Sequence, residues 1–254
     1  MGSLLRDRVA IVTGGAMGIG EGCVRALSGQ GASVVIADVD DVKGRDLASA
    51  LKDAGGDGLF VHTNVTVDED IGSCVETAIE GYGRLDILVN NAGIHFPHTI
   101  DDLDPEAWDR LMDINLKSMF LFCKVALPHI RKQRGSVINV SSIRGLIGQS
   151  RAIAYCASKS GILGLTKGLA KDEAPRGVRV NAICPSNVDT PLMEKWLSQL
   201  DDSETMRSAC EQEQALGRMA NIMEVGQVVA FLAGPHASFL TGLSLPVDGG
   251  ALLG

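Results

Sequence analysis

A phenol and an ammonium stand four residues apart in Tyr155-Cys156-Ala157-Ser158-Lys159, and this pair is the one best suited to moving a proton. Positions i and i+4 share one face of a helix, so the two groups can act together. Free tyrosine titrates near pH 10, and service as a base near neutrality needs a shift of about three units, on the order of 4 kcal/mol. A cation beside the phenolate acts in that direction. The same spacing also describes an ordinary exposed helix pair, so the surroundings must decide. Ser142 stands thirteen residues earlier, just past an apolar run in Asn139-Val140-Ser141-Ser142. Its hydroxyl can hold a substrate oxygen or simply cap a turn. Asn115, in Asp113-Ile114-Asn115-Leu116, is a lone amide in an apolar helical run, where an amide is ordinarily turned to solvent.

A second constellation suits a dinucleotide. Thr13-Gly14-Gly15-Ala16-Met17-Gly18-Ile19-Gly20 closes one apolar run and opens a helical stretch. Glycines in such a turn let the backbone approach a pyrophosphate, and the helix N-terminus supplies N–H donors and partial positive charge. Asp38 closes the next apolar run, eighteen residues past Gly20. A carboxylate there accepts hydrogen bonds from ribose hydroxyls and repels a 2′-phosphate. No Arg or Lys occupies Val39, Asp40 or Asp41 to receive that phosphate, so the expected cofactor is NAD rather than NADP. The alternative for Asp38 is to cap the following helix. Asn90-Asn91-Ala92-Gly93 follows a later apolar run. Its small and amide residues suit close passage of a cofactor, although a plain turn has the same composition.

These groups need a scaffold, and the apolar pattern indicates one. Val9–Thr13, Ser33–Ala37, Leu59–His62, Ile87–Val89, Ser136–Val140, Arg179–Ile183 and Leu243–Val247 read as fully buried strands separated by helical stretches. Strand–helix alternation predicts an α/β fold of the doubly wound Rossmann type, a seven-stranded parallel sheet with helices on both faces. No repeat or linker interrupts residues 1–254, which read as a single domain. The polar stretch 187–220 carries Met193, Trp196, Leu197 and Met206 at helical spacings and reads as a helical lid folding over the substrate.

The net charge of −8 disfavours nucleic acid and anionic membranes as partners, and no apolar run reaches the roughly 20 residues of a membrane span. The N-terminus runs straight into a strand without a signal-peptide core, so a cytoplasmic location is expected. Six scattered cysteines without a C-x-x-C pair read as buried small hydrophobes, and five histidines form no ligand cluster, so no metal is expected.

Taken together, Thr13–Gly20, Asn90–Gly93, Asn115, Ser142, Tyr155, Lys159 and the segment from Pro185 to Thr190 resemble the short-chain dehydrogenase/reductase family, in order and spacing, from Val9 to Gly250. The resemblance implies hydride exchange between a nicotinamide and a secondary alcohol or ketone. It implies an Asn115–Ser142–Tyr155–Lys159 tetrad. In it Tyr155 exchanges the proton, Ser142 positions the oxygen, Lys159 lowers the tyrosine pKa and binds the nicotinamide ribose, and Asn115 supports a water relay. It further implies a cofactor lying along Thr13, Gly14, Met17, Gly18, Ile19, Gly20, Asp38, Val39, Asn64, Val65, Asn91, Ala92, Gly93, Tyr155, Lys159, Pro185, Val188 and Thr190. Homotetramers are common in the family.

Two positions depart from the family pattern. Pro185-Ser186 replaces the usual Pro-Gly, and Asn64-Val65 stands where Asp-Val is frequent, leaving an amide to bond adenine. Gly148-Gln149, Leu216-Gly217-Arg218-Met219 and the short tail after Gly250 most resemble the type 14 17-beta-hydroxysteroid dehydrogenases, a group associated with steroid alcohols and L-fucose. Ile94 stands where that group has a polar pocket residue, and Arg144 adds a charge two positions past Ser142. Arg144, able to bind a carboxylate or polar substrate or to face outward, joins Ser142, Tyr155, His95, Gln149 and Trp196 as candidate substrate residues. His95 and His98 read as loop residues near the pocket mouth. Two rivals remain. An NADP-linked 3-oxoacyl-carrier reductase is disfavoured by Asp38, and a catalytically silent NAD-binding regulator is disfavoured by the intact Ser142, Tyr155 and Lys159.

Overall fold

In the computed structural model, which describes residues 3–198 and 201–253, seven parallel strands form one sheet in the order β3-β2-β1-β4-β5-β6-β7. Gln199 and Leu200, within the expected 187–220 insertion, lie outside the described residues, as do Met1, Gly2 and Gly254. The strands are β1 (Val9–Thr13), β2 (Ser33–Asp38), β3 (Asp57–His62), β4 (Ile87–Asn90), β5 (Ser136–Val140), β6 (Arg179–Pro185) and β7 (Ser244–Val247). The doubly wound seven-stranded expectation holds.

Side chains along β1 explain the two layers. Ala10 and Val12 pack into one core with Val24, Leu27 and Val229, while Val9 and Ile11 pack into the other with Val75, Phe122 and Ile130. Alternate residues of a strand point to opposite faces, so a strand covered on both sides must be apolar throughout. Leu59–His62 and Leu243–Val247, read as fully buried, are a correction. β3 pairs only with β2 and β7 only with β6, and both edge strands are largely half-buried because each has a neighbouring strand on one side alone.

Helices α1 (Gly18–Gly29), α2 (Asp41–Asp53) and α3 (Asp68–Tyr82) follow the first three strands. After β4 come α4 (Pro105–Met112), a π-helical turn at Asp113–Lys117, and α5 (Ser118–Gln133). The long α6 (Ile153–Glu173) lies between β5 and β6. The strand order reverses between β1 and β4, and the crevice beyond the C-terminal ends there is where such sheets bind ligands.

Buried polar groups lock α6 to that crevice. Asn90 Nδ2 donates to Asn139 Oδ1 at 2.9 Å, Asn139 Nδ2 to Thr166 Oγ1 at 2.9 Å, and Thr166 Oγ1 to the Ile162 carbonyl at 2.8 Å. This chain crosses from β4 through β5 into α6. Removing one member would strand a partner without water, at a cost of about 1–3 kcal/mol. Between β6 and α9 (Ile222–Ala233), the insertion forms α7 (Pro191–Leu197), capped by Thr190, and α8 (Ser203–Gln212), capped by Asp202. Among the described residues no helix is long and apolar enough to cross a membrane.

Candidate active site

Tyr155 and Lys159 lie in the first turns of α6, facing the crevice rather than bulk solvent. The Lys159 side chain is 4% exposed, and Nζ donates to the Val140 carbonyl at 3.0 Å, 5.5 Å from the centre of the Tyr155 ring. Burial pushes its pKa down to about 8. The ordinary surface pair is thereby excluded. Tyr155 is held with its phenol above the usual value, because crowding by protein disfavours the phenolate. The Ser142 hydroxyl and the Arg144 charge act in the opposite direction.

Ser142 occupies a short turn after β5. Its Oγ accepts from the Arg144 N–H at 3.1 Å and donates to the Pro185 carbonyl at 3.4 Å. It is a turn cap and a cavity wall at once. Ser141 Oγ donates to the Lys159 carbonyl at 2.8 Å and Ser160 Oγ to the Gly145 carbonyl at 3.0 Å, stitching this turn to α6.

Asn115 is fully buried rather than turned to solvent. It sits in the π turn, whose extra residue re-phases the helix, a feature frequent at functional sites. Its Oδ1 accepts from the Ile94 N–H at 2.8 Å, and Nδ2 donates to the Ile94 carbonyl at 2.9 Å and to Ser158 Oγ at 3.3 Å. Ser158 Oγ in turn donates to the Tyr155 carbonyl at 2.8 Å. Asn115 thus joins the loop after β4 to the Tyr155–Lys159 turn.

The glycine-rich turn makes a cradle. A Cβ on Gly20 would lie 1.9 Å from the Gly14 carbonyl oxygen, so only glycine allows this closure. Gly14 has φ +60°, and Met17, the residue preceding α1, places no side-chain oxygen on the first N–H groups, which stay open to an anion. Thr190 faces Gly18 across the mouth of this turn, and Ile19, Val188 and Thr190 also line the neighbouring cavity. Thr13 and Asn91 tie the turn together. Thr13 Oγ1 accepts from the Asn91 and Ala92 N–H groups at 3.0 and 3.1 Å, and Asn91 Nδ2 donates to the Thr13 and Gly14 carbonyls at 3.0 and 2.9 Å. Gly93 is bare where a Cβ would sit 3.4 Å from Asn115 Oδ1 and 3.6 Å from Lys159 Nζ, leaving space beside both. A nicotinamide dinucleotide fits this set of donors and bare positions.

At the adenosine end Asp38 does not cap α2; Asp40 does, accepting from the Lys43 N–H at 3.0 Å. Asp38 instead accepts from the Ala16 N–H and the Asp40 N–H, each at 3.0 Å, so its carboxylate stands at the glycine-rich turn. Val39 beside it is exposed. Sequence reading found no base next to Asp38, yet Lys43 reaches back from α2 to within 4.0 Å of Met17 Sδ, paired with Asp40 at 3.3 Å. Asn64 Oδ1 is turned onto Thr66, and Val65 is buried in the core.

Beside Ser142 and Tyr155 lies a cavity of about 530 Å³. Gln149, Trp196 and Met193 line it, as expected, but Leu197 does not. It is buried in the protein interior instead. His95, read as a loop residue, packs edge-on against Tyr155 with ring centres 4.6 Å apart. Burial and the nearby Lys159 charge lower its pKa. Arg144 faces the cavity and pairs with Glu213, a residue that sequence reading missed because the two meet only through the fold. Ser186, in place of the usual glycine, keeps a negative φ and donates from Oγ to Gln214 Oε1 at 2.5 Å, anchoring the insertion.

The crevice, the cradle and the half-buried Tyr155 backed by buried Lys159 define a nicotinamide-linked oxidoreductase of secondary alcohols. A family model described as enoyl-(acyl carrier protein) reductase matches residues 14–251. An L-fucose dehydrogenase of Bos taurus is 43% identical, over 100% of this chain and 93% of its own. A cis-4-hydroxycyclohexanecarboxylate dehydrogenase of Sinomonas cyclohexanicum is 41% identical over 98% of each chain. The ligand-free structure of the Thermoplasma acidophilum aldohexose dehydrogenase superposes with a TM-score of 0.90 at 34% identity, covering 100% of this chain and 97% of that one. The chain belongs to the short-chain dehydrogenase/reductase family.

Proposed function

We propose that this protein is an NAD-dependent dehydrogenase of cyclic secondary alcohols, of the sugar or steroid-like kind, with Asn115, Ser142, Tyr155 and Lys159 as its working residues. The observation that carries this reading is the meeting of Ser142 and Tyr155 at one wall of the cavity, with Lys159 buried behind them and the glycine cradle alongside. A nicotinamide held there supplies the hydride acceptor. Ser142 Oγ holds the substrate oxygen and Tyr155 Oη takes its proton as the C–H bond breaks. The ammonium of Lys159, 5.5 Å from the Tyr155 ring, favours the phenolate by its charge and would hold a ribose hydroxyl of the bound dinucleotide. Asn115 keeps the Tyr155 turn in register with the loop after β4.

NAD is favoured by the Asp38 carboxylate, which would repel a 2′-phosphate. Lys43 supports a second reading in which NADP is tolerated, but its charge is already shared with Asp40. The relatives' substrates, an aldose and a ring hydroxy acid, and the apolar cavity wall name the classes to try. Purified protein should form NADH with at least one member of a panel of sugars, cyclic alcohols, hydroxy acids and steroid alcohols. Reduction of acyl-carrier ketones with NADPH alone would overturn the proposal.

A further inference from the structure

Arg144 and Glu213 meet at the cavity wall from positions 69 residues apart. Arg144 Nη2 donates to Glu213 Oε1 and Oε2 at 2.6 and 2.7 Å, with the two side chains 14% and 32% exposed. Glu213 Oε2 also accepts from Asn187 Nδ2 at 2.8 Å, so the carboxylate is held from two sides. Arg144 is fixed in the same turn as Ser142, whose hydroxyl accepts its N–H. The rest of the wall is apolar or uncharged, with Leu192, Met193, Trp196, Met206 and Gln149. Arg207, the one cation of α8, pairs with Glu194 on α7.

The pair is neutral as a unit, and Glu213 occupies the Nη2 donors of the guanidinium, so any group that reaches the remaining N–H groups lies beside the Glu213 carboxylate. A substrate carboxylate could reach Arg144 only by displacing Glu213 from both Arg144 and Asn187, or by lying against Glu213 as a like charge. A neutral hydroxyl meets no such opposition. It can accept from the unused guanidinium N–H groups or donate to the Glu213 carboxylate. We infer that the Arg144–Glu213 pair is a charge filter: it admits uncharged alcohols, excludes those bearing a carboxylate, and makes Glu213 the residue that sets this selectivity. The inference rests on the proposed dehydrogenase reading and adds to it the charge of the substrate.

The test compares 4-hydroxycyclohexanecarboxylate with its uncharged amide, two alcohols of the same ring that differ in charge. Wild-type enzyme should favour the amide in kcat/KM by about tenfold or more, the scale of one charge-assisted hydrogen bond. Glu213→Gln keeps an acceptor for Asn187 and frees Arg144. It should raise relative use of the carboxylate by on the order of tenfold to a hundredfold. The double variant Arg144→Gln/Glu213→Gln should lose that gain. A wild-type ratio near one, or a ratio unchanged in Glu213→Gln, overturns the inference. Should Glu213→Gln fail to fold, Arg144→Gln takes its place and should deepen rejection of the carboxylate. Equal behaviour of Arg144→Gln and wild type is then the overturning result. Should neither alcohol be oxidised, the dehydrogenase reading of this substrate class fails separately. Charge selection is then read from quenching of tryptophan fluorescence by cyclohexanecarboxylate and by its amide, since Trp196 lines the cavity. Only amide binding in wild type, with carboxylate binding gained in Glu213→Gln, supports the filter, and equal binding refutes it.

Discussion

Replacing Lys159 with methionine should make this protein more stable and leave it inactive. Burial lowers the lysine pKa from 10.5 to about 8. That gap amounts to roughly 3 kcal/mol spent on keeping the ammonium in the protein interior. Methionine has similar length and no charge to desolvate, but it surrenders the charge-assisted Nζ bond to the Val140 carbonyl, worth about 2 kcal/mol. The net gain is then about 1 kcal/mol at pH 7, or a rise in Tm of about 2–4 °C for a protein of this size. Its pH dependence is specific. Below pH 8 folded and unfolded chains both hold the Lys159 proton, and the burial cost is present in full. Between about 8 and 10.5 only the unfolded chain binds that proton, so wild-type stability climbs with pH and the advantage of the variant shrinks. Urea unfolding without nucleotide, followed by fluorescence at pH 7, 8, 9 and 10, measures this difference directly. A variant less stable than wild type at pH 7, or a difference constant across the range, refutes the idea that Lys159 is held against its own desolvation.

Tyr155→Phe deletes only the hydroxyl and should lower kcat by about 10²–10⁴-fold with little change in NADH affinity; turnover at the wild-type level would remove Tyr155 from the proton step. Asp38→Arg should shift preference from NAD towards NADP in steady-state kinetics, and equal efficiency of both cofactors in the unmodified protein would remove the basis for it. Trp196→Ala opens the cavity wall and should raise KM or reorder substrates while NADH binding stays nearly constant, whereas unaltered kinetics across the panel would make Trp196 mere packing.

The parallel sheet was legible because its interior strands are apolar on both faces, a property each strand carries in its own few residues. β3 and β7 were misjudged as buried because apolar composition does not reveal which strands end a sheet. Tyr155 and Lys159 could be paired from their spacing, since a helix brings i and i+4 together whatever surrounds it. Whether that pair faced water or a crevice was open until Val140 and the turn at Ser141 closed over it.

The glycine-rich turn, the Tyr155–Lys159 spacing and the carboxylate at Asp38 are properties of sequence, because turn chemistry and helical spacing act over a few residues, whereas Asn115 and Ser142 were singled out by the family resemblance. Tertiary structure alone decided the rest. It buried Asn115 in a π turn, laid His95 on Tyr155, brought Lys43 to Met17, and set Glu213 on Arg144. Each of these joins segments distant in the chain, or depends on the exact phase of a helix. Such contacts arise only when the core packs, because their energies depend on burial and on partners that no local pattern encodes.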